Sequence, residues 1–286
     1  MKTIPATVSV ILATVLLAGT SAAETLLERG TYLMESVAAC PVCHTPWNED
    51  GQIADMHMAG GLIFEEDDYT AYASNITPDP ETGIGSWSDE EIIIAIREGK
   101  RPDGSIIGPA MPIRLYRGIS DRDVQAIVAY LRSIPPIMNE VPASEYEIDL
   151  PADYGPPLGE VPEVAYYDLG AYGEYLSGPI ANCTYCHTPV EDGWRDYESM
   201  LGAGGHEMEG PWGETVARNI TPDWGTGLGR WNSRKMRTAI TKGLRPDGDE
   251  LGPPMPYARY DTMDRQDLSA ILAYVRSLPQ IENGTD

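Results

Sequence analysis

Apolar residues recur at intervals of three and four near the end of each half of the chain, a spacing that places them on one face of an α-helix. Pro135 and Pro279 stop the two patterns. Ser120 and Asp264 stand at the two starts, where a side-chain oxygen can accept a hydrogen bond from the first turn. The periodic residues are Val124, Ile127, Val128 and Leu131 in the first half, and Leu268, Ile271, Leu272 and Val275 in the second.

Two further helices are predicted in each half. One covers residues 26–39, and its counterpart covers residues 168–180. The other starts at Ser88, which can form a capping box with Glu91 three residues later, and its counterpart starts at Asn232. We find no convincing alternation of apolar and polar residues of the kind that marks strands. The predicted fold class is therefore mostly α, with long loops rich in glycine and proline.

The helical pattern occurs twice because the sequence is repeated. SNITPDPETGIGSW in the first half matches RNITPDWGTGLGRW in the second, at an offset of 144 residues that pairs Asn75 with Asn219. Such a repeat predicts two modules of one design. We place the first domain at residues 24–134 and the second at 165–286. Residues 135–164, which are rich in proline and acids, are expected to form an extended, semi-stiff linker.

The first 23 residues read as a secretory signal peptide. Lys2 precedes an apolar run at residues 8–18, and small residues lead to a predicted cleavage after Ala23. The run is shorter than the ~20 residues that span a bilayer, although an uncleaved anchor is the alternative. The mature chain is expected to be periplasmic, with no integral membrane segment.

The net charge of −24 indicates which classes of partner are expected. Like charges repel, which argues against nucleic acid and anionic membranes and favours a partner with a basic docking surface. A generally solubilising surface is the alternative explanation.

The motif Cys-x-x-Cys-His occurs once in each half, at CPVCH and CTYCH. It is the signature of covalent haem c attachment, in which both thiols bond the haem and the adjacent histidine binds the iron. A disulfide, a dithiol redox pair and a zinc site are the alternatives. Two covalently bound haem c groups are predicted. The attachment residues are Cys40, Cys43 and His44, and then Cys183, Cys186 and His187.

Met111 and Met255 are the candidates for the remaining iron ligand. They occupy matching positions in GPAMP and GPPMP, and a thioether ligand raises the reduction potential of haem iron. A core methionine that fills a gap is the alternative. His57 and His206 are the rival ligands, but neither has a counterpart in the other half, and we expect both at the surface.

Repeated polar residues suggest weaker roles at the same site. Arg101 and Arg245 could pair with haem propionates, or could simply flank the Pro-Asp-Gly turns that follow them. Trp87 and Trp231 could donate to propionates, although packing is the simpler role. Asn75 and its counterpart are expected to stabilise their loops through hydrogen bonds to nearby backbone.

The repeated motifs resemble those of class I c-type cytochromes. They are CPVCHTP and CTYCHTP, both NITPD segments, GPAMP and GPPMP, and AYLRSIP and AYVRSLP. The chain most resembles the multihaem cytochrome subunits of periplasmic alcohol, aldehyde and gluconate dehydrogenases, which typically have three modules rather than two. The resemblance implies two tandem cytochrome c-like helical domains, each wrapped around one covalent haem. It also implies His/Met ligation, by His44 with Met111 and by His187 with Met255.

These observations predict an electron-transfer protein rather than an enzyme. Single electrons would pass from a donor such as a periplasmic dehydrogenase to an acceptor such as a terminal oxidase or a small cytochrome. The alternative is a dihaem redox enzyme of the peroxidase or thiosulfate-oxidising type, in which one haem has a labile ligand. A non-catalytic subunit of a larger respiratory complex is the third interpretation.

Overall fold

The computed structural model describes residues 23–66, 68–191 and 193–285. Residues 1–22 of the predicted signal peptide lie outside the described residues. Within the described ranges, no helix is long and apolar enough to cross a membrane.

Ten α-helices lie in the described residues, and their order repeats. The first half holds α1 (Leu26–Tyr32), α2 (Pro41–His44), α3 (Asp89–Glu98), α4 (Ile113–Tyr116) and α5 (Asp121–Ser133). The second half holds α6 (Leu169–Tyr175), α7 (Cys183–Cys186), α8 (Ser233–Lys242), α9 (Tyr257–Tyr260) and α10 (Arg265–Ser277). The prediction of a mostly helical protein is confirmed. The division into two haem-wrapped domains stays a prediction.

The helix starts follow the capping residues. Ser88 and Glu91 form the predicted capping box at α3, and the side chain of Asn232 caps α8. Ser120 caps α5 by accepting from the backbone of its third residue. Asp264 stands at the start of α10, but its side chain makes no capping hydrogen bond. The sequence therefore predicts where these helices begin, and at three of the four starts the side chain of the cap satisfies a backbone N–H.

The first helix of each half changes its geometry before the Cys motif. α1 continues as a wider π-helical turn, Leu33–Val37, and Ala39 then adopts a left-handed φ of 51°. In the second half α6 continues into Leu176–Ile180, and Asn182 has a φ of 53°. A left-handed residue ends a helix because the chain turns away from the helix axis. The helix predicted over residues 26–39 therefore ends before the motif.

Nine short strands accompany the helices in the described residues, although the sequence shows no strand pattern. They form four small antiparallel sheets. Strands of two to four residues are too short for apolar and polar positions to alternate visibly. The strands are β1 (Trp47–Asn48), β2 (Gly51–Gln52), β3 (Ile63–Glu66), β4 (Tyr69–Tyr72), β5 (Glu145–Tyr146), β6 (Val190–Glu191), β7 (Trp194–Arg195), β8 (Glu207–Gly210) and β9 (Gly213–Val216).

The proline- and acid-rich linker lies against the first half. Its strand β5 pairs with β4, and the hydroxyl of Tyr154 donates to the carbonyl of Ile107 at 2.7 Å. Arg117 Nη2 donates to the carbonyl of Pro156 at 2.6 Å. The segment is extended, as predicted, but these contacts attach it to the first half rather than leaving it as a free spacer.

Glycines allow the first and last helices of each half to touch. A Cβ placed on Gly30 of α1 would lie 1.9 Å from the backbone oxygen of Ala126 in α5. A Cβ on Gly173 of α6 would lie 2.1 Å from the backbone oxygen of Ala270 in α10. Only glycine permits so close an approach, and each helix pair supports the Cys motif that follows its first helix.

The two halves share one apolar cluster and exchange buried hydrogen bonds. The hydroxyl of Tyr32 in α1 donates to Asp267 Oδ2 in α10 at 2.7 Å. The matching Tyr175 in α6 donates to Asp123 Oδ2 in α5 at 2.7 Å. Each half donates a hydrogen bond to the other from the same repeat position. The contact between the halves therefore resembles the interface of a symmetric dimer, although both halves belong to one chain.

Candidate functional site

A cavity of about 1950 Å³ lies between the two halves, and both Cys-x-x-Cys-His motifs line it. Pockets for one small molecule have volumes of about 300–1,000 Å³. The cavity therefore has room for more than one large ligand. All eight predicted site residues lie in its wall, namely Cys40, Cys43, His44, Met111, Cys183, Cys186, His187 and Met255.

A single helical turn positions each motif. Residues three apart on a helix share a face, so the two cysteines of each motif point to the same side. α2 contains Cys43 and His44, and α7 contains Cys183 and Cys186. Each motif is also tied to the following loop, because Gly60 N–H donates to the carbonyl of His44 at 2.8 Å. The equivalent bond in the second half also measures 2.8 Å.

All four cysteines are free thiols in the structure. Burial raises the pKa of Cys40 and Cys183 to about 12, and it also raises the pKa of Cys43 and Cys186. Reactive dithiol pairs require lowered thiol pKa values. The environment therefore does not favour the redox-pair alternative. In the described residues, no three His, Cys, Asp or Glu side chains are grouped as a metal ion would require.

The same ring nitrogen, Nδ1, of each motif histidine is hydrogen-bonded to a backbone carbonyl. His44 Nδ1 lies 2.8 Å from the carbonyl oxygen of Ser74, and His187 Nδ1 lies 2.7 Å from that of Arg218. A carbonyl accepts only, so Nδ1 carries the proton and Nε2 keeps its lone pair. Burial lowers the pKa of both imidazoles. Each histidine is thus neutral and has a fixed tautomer, the form in which an imidazole can bind a metal.

The two candidate methionines lie in matching loops before short helices. The N–H of Ile113, the first residue of α4, donates to the carbonyl of Met111 at 2.8 Å. The N–H of Tyr257, the first residue of α9, donates to that of Met255 at 3.0 Å. Both methionines line the cavity. Their coordination of iron stays a prediction.

The cavity fits a large, mainly apolar group with polar edges. Ile92 and Leu131 form part of the wall in the first half, and Met236 and Ile240 form part of it in the second. The indole Nε1 of Trp212, another wall residue, is buried without a hydrogen-bond partner among the described residues. A buried donor of this kind requires an acceptor. Thiols, neutral imidazoles, thioethers and apolar walls together fit covalent haem.

The two remaining histidines have different environments. His57 Nε2 lies 2.9 Å from Glu35 Oε1 and 3.1 Å from the hydroxyl of Tyr130, away from the cavity. His206 is buried and lines the cavity, so the prediction that it lies at the surface is wrong. Burial, with a further contribution from the Arg195 guanidinium, lowers the pKa of His206 to about 3. Arg195 Nη2 lies 2.9 Å from His206 Nε2, where a water molecule would otherwise bind.

The weaker candidates also reach the cavity. Arg101 lines it while donating to the carbonyl of Ile106 at 3.1 Å, and Arg245 lines it while pairing with Asp247 at 3.2 Å. Trp87 and Trp231 line it and pack against the apolar cluster. Their roles toward propionates stay predictions.

The expected loop bonds of the asparagines are present. Asn75 Oδ1 accepts from the backbone and the hydroxyl of Thr77, and Asn219 Oδ1 accepts from the same groups of Thr221. Both asparagines are buried. Each holds one side of the cavity rim in place.

Sequence reasoning missed two tyrosines between the motifs, the half-buried Tyr116 and the buried Tyr260. Tyr116 accepts a hydrogen bond from Asn182 Nδ2 at 3.1 Å, and Tyr260 donates to the carbonyl of Ala181 at 3.2 Å. Burial, and then Cys40 and Cys43, raise the pKa of Tyr116. Burial, and then Cys183 and Cys186, raise the pKa of Tyr260. Tyr116 and Tyr260 are related by the 144-residue offset. This match within the repeat is the signal by which the sequence could have identified them.

No family model matches the chain. A relative from Gluconobacter oxydans, named as the cytochrome c subunit of a quinone alcohol dehydrogenase, is 31% identical over 91% of the chain and 56% of its own length. The gluconate 2-dehydrogenase cytochrome c subunit of Pantoea cypripedii is 30% identical over 97% of the chain and 65% of its own length. A diheme cytochrome c-type protein of Cereibacter sphaeroides is 29% identical over 85% of the chain and 83% of its own length. The chain thus spans only part of the two dehydrogenase subunits.

Proposed function

Because its homologues are cytochrome c subunits of dehydrogenases and a diheme cytochrome c, we propose that this chain is a periplasmic dihaem cytochrome that carries single electrons. The homologues confirm the predicted resemblance to c-type cytochromes and support an electron carrier rather than an enzyme. In the proposal His44 and Met111 bind one iron, and His187 and Met255 bind the other.

The observation that supports two haems is the single cavity with two matched ligand sets. Both sets line the same space, and after burial the nearby Cys186 is the next contribution that raises the pKa of Cys43. The attachment motifs are therefore neighbours. Electron tunnelling rates fall exponentially with distance, so a short separation favours transfer within the molecule.

Hydrogen bonds within the protein fix the orientation of the proposed iron ligands. When bound, each haem iron supplies a one-electron couple. The carbonyl of Ser74 keeps His44 in one orientation and one tautomer, and the carbonyl of Arg218 does so for His187. In the proposal the methionine raises the reduction potential. A fixed ligand set limits the rearrangement that each electron transfer requires.

The partners follow from charge and relatedness. A dehydrogenase is the proposed donor, and a terminal oxidase or a small cytochrome is the proposed acceptor. A net charge of −24 favours basic docking surfaces, with association rates that fall as salt rises. Because the relatives include dehydrogenase subunits, function within such a complex belongs to the same proposal.

The first experiment measures covalent haem and its ligation. The chain, expressed in a host that attaches haem c, is purified and its reduced visible spectrum is recorded with and without carbon monoxide. We expect two haems per chain and a low-spin spectrum that carbon monoxide leaves unchanged, because protein ligands would occupy both axial positions.

A double variant, Cys40→Ala with Cys43→Ala, serves as the control and is expected to retain one covalent haem. A wild-type chain without covalent haem contradicts the proposal. A carbon monoxide adduct at one haem supports the redox-enzyme alternative instead.

A further inference from the structure

The two sides of the cavity differ in charge although the sequence repeats. At three aligned positions the first half has a neutral polar residue and the second half has an arginine. All three arginines line the cavity. The pairs are Gln52 with Arg195, Ser74 with Arg218, and Ser86 with Arg230.

Arg195 is the best-placed of these cations. It is half-buried, and its guanidinium lies 4.3 Å from the ring centroid of Tyr185. Its Nη1 donates to the carbonyl of Thr188 at 3.3 Å. Among the described residues, no carboxylate lies within 4 Å of its guanidinium nitrogens. Glu66 Oε1 lies 3.9 Å from His206 Nε2, the nitrogen that Arg195 Nη2 contacts, so a partly exposed acid is close by. A half-buried cation still acts more strongly on neighbouring charges than an exposed one does.

The charge of Arg195 reaches the second attachment motif. Two contacts of Arg195, the Tyr185 ring and the Thr188 carbonyl, belong to the residues directly before Cys186 and directly after His187. At the matching position in the first half, Gln52 accepts a hydrogen bond from Arg259 Nη2 at 3.2 Å. Arg259 is itself paired with Glu35 at 2.6 Å, so its charge is compensated there. At this position the first motif therefore has a neutral side chain in place of the Arg195 cation.

The acids of the second half do not cancel this difference. Glu207, Glu209, Glu214 and Glu250 line the cavity rim, but all four are exposed to solvent. Water and salt screen exposed charges far more than buried ones. Arg230 is exposed as well and is screened in the same way.

Arg218, like Arg195, is half-buried, and its Nη1 donates to the carbonyl of Thr285. Arg195 is the half-buried arginine whose guanidinium contacts Tyr185 and Thr188, the residues directly before Cys186 and directly after His187.

We propose that Arg195 makes the second-half haem the higher-potential centre, so that electrons pass from the first half to the second. The inference rests on the proposed function. An oxidised haem carries one more positive charge than a reduced one, and a nearby cation disfavours the oxidised form. In the transfer, the first-half iron is oxidised from ferrous to ferric, and the second-half iron is reduced from ferric to ferrous.

The test is a potentiometric titration of the complete dihaem protein, followed by visible absorbance. Arg195→Gln gives the second half the residue that the first half already has. We expect it to lower the higher of the two reduction potentials and to leave the lower one in place. The expected change in the distribution of one electron between the sites is on the order of tenfold, which corresponds to 59 mV.

Two further variants make the assignment specific. Gln52→Arg adds the cation to the first half and is expected to raise the lower potential. Arg234→Gln removes an exposed arginine of the second half that is not part of the cavity wall, and should move neither potential.

A decrease of the lower potential in Arg195→Gln, or equal shifts in Arg195→Gln and Arg234→Gln, overturns the inference. The haem content and the carbon monoxide response of each variant are measured alongside. If the protein has two low-spin haems whose reduction potentials do not change in Arg195→Gln, only the proposed direction of transfer is refuted. Loss of haem c from the wild-type chain refutes the proposed function instead.

Discussion

At the scale of single residues, the two Cys-x-x-Cys-His motifs are supported by contacts that no motif search contains. The tautomer of His44 depends on a carbonyl thirty residues later in the chain. The lowered pKa of His206 depends on burial and on the Arg195 charge. Side chains that are adjacent in sequence define the motif, whereas a carbonyl group distant in sequence determines the tautomer of its histidine.

Replacement of one candidate ligand tests the residue scale. Met111→Leu removes the thioether and keeps the side-chain volume nearly unchanged. We expect carbon monoxide to bind to about half of the haem, with a fall in one reduction potential, because one axial position opens. Reduced difference spectra with carbon monoxide measure the change.

Met208 also lines the cavity but is not a predicted ligand, so Met208→Leu is the matched control. The same carbon monoxide response in both variants, or in neither, argues against Met111 as the iron ligand.

At the scale of helices, glycine contacts decide how closely the elements pack. The pairs α1 with α5 and α6 with α10 touch at a glycine whose missing Cβ leaves room for a backbone oxygen of the partner helix. The sequence contains both glycines, but nothing local distinguishes them from glycines in loops. Only the packing of residues far apart in the chain reveals that they are needed.

Gly30→Ala tests this contact. The added Cβ would meet the Ala126 backbone oxygen at 1.9 Å, and a backbone atom inside a helix cannot move aside alone. We expect a loss of about 1–3 kcal/mol in the free energy of unfolding, the usual cost of overpacking. Urea denaturation followed by circular dichroism measures it.

The control is Gly170→Ala, in α6, where an added Cβ would meet only a side-chain oxygen at 3.6 Å. There the better helix propensity of alanine should stabilise the protein by roughly 0.5–1 kcal/mol. Equal changes in the two variants would show that the close contact with Ala126 does not explain the result.

At the scale of the whole molecule, the two halves are joined by charges as well as by apolar packing. Glu35 in the first half pairs with Arg259 in the second at 2.6 Å. Burial alone would raise the pKa of Glu35, but hydrogen bonds from His57 and Tyr130 and the Arg259 charge outweigh it. The resulting pKa is about 2.

This lowered pKa predicts an acid-sensitive contact between the halves. A carboxylate with a pKa of about 2 when folded and ~4.3 when unfolded stabilises the protein fully above the unfolded value. The contribution is lost as the pH falls from that value through about 2. We expect the wild type to lose more stability than Glu35→Gln between pH 6 and pH 3, as measured by urea denaturation at each pH.

Glu163→Gln is the control, because Glu163 is exposed and pairs with Arg122 only at 3.4 Å. It should follow the wild-type pH dependence. If Glu35→Gln also follows the wild type, Glu35 does not contribute to acid sensitivity.

The sequence by itself determined the helix caps, the internal repeat, both attachment motifs and the two candidate methionines, because each depends on residues that are close together or copied at a constant offset. It did not reveal that β5 of the linker joins the first half, that His206 is buried, or that Tyr116 and Tyr260 lie between the motifs. Those features arise from contacts across many residues, where burial and distance set the chemistry. Only the tertiary structure placed both motifs on one cavity and put Arg195 beside the second of them.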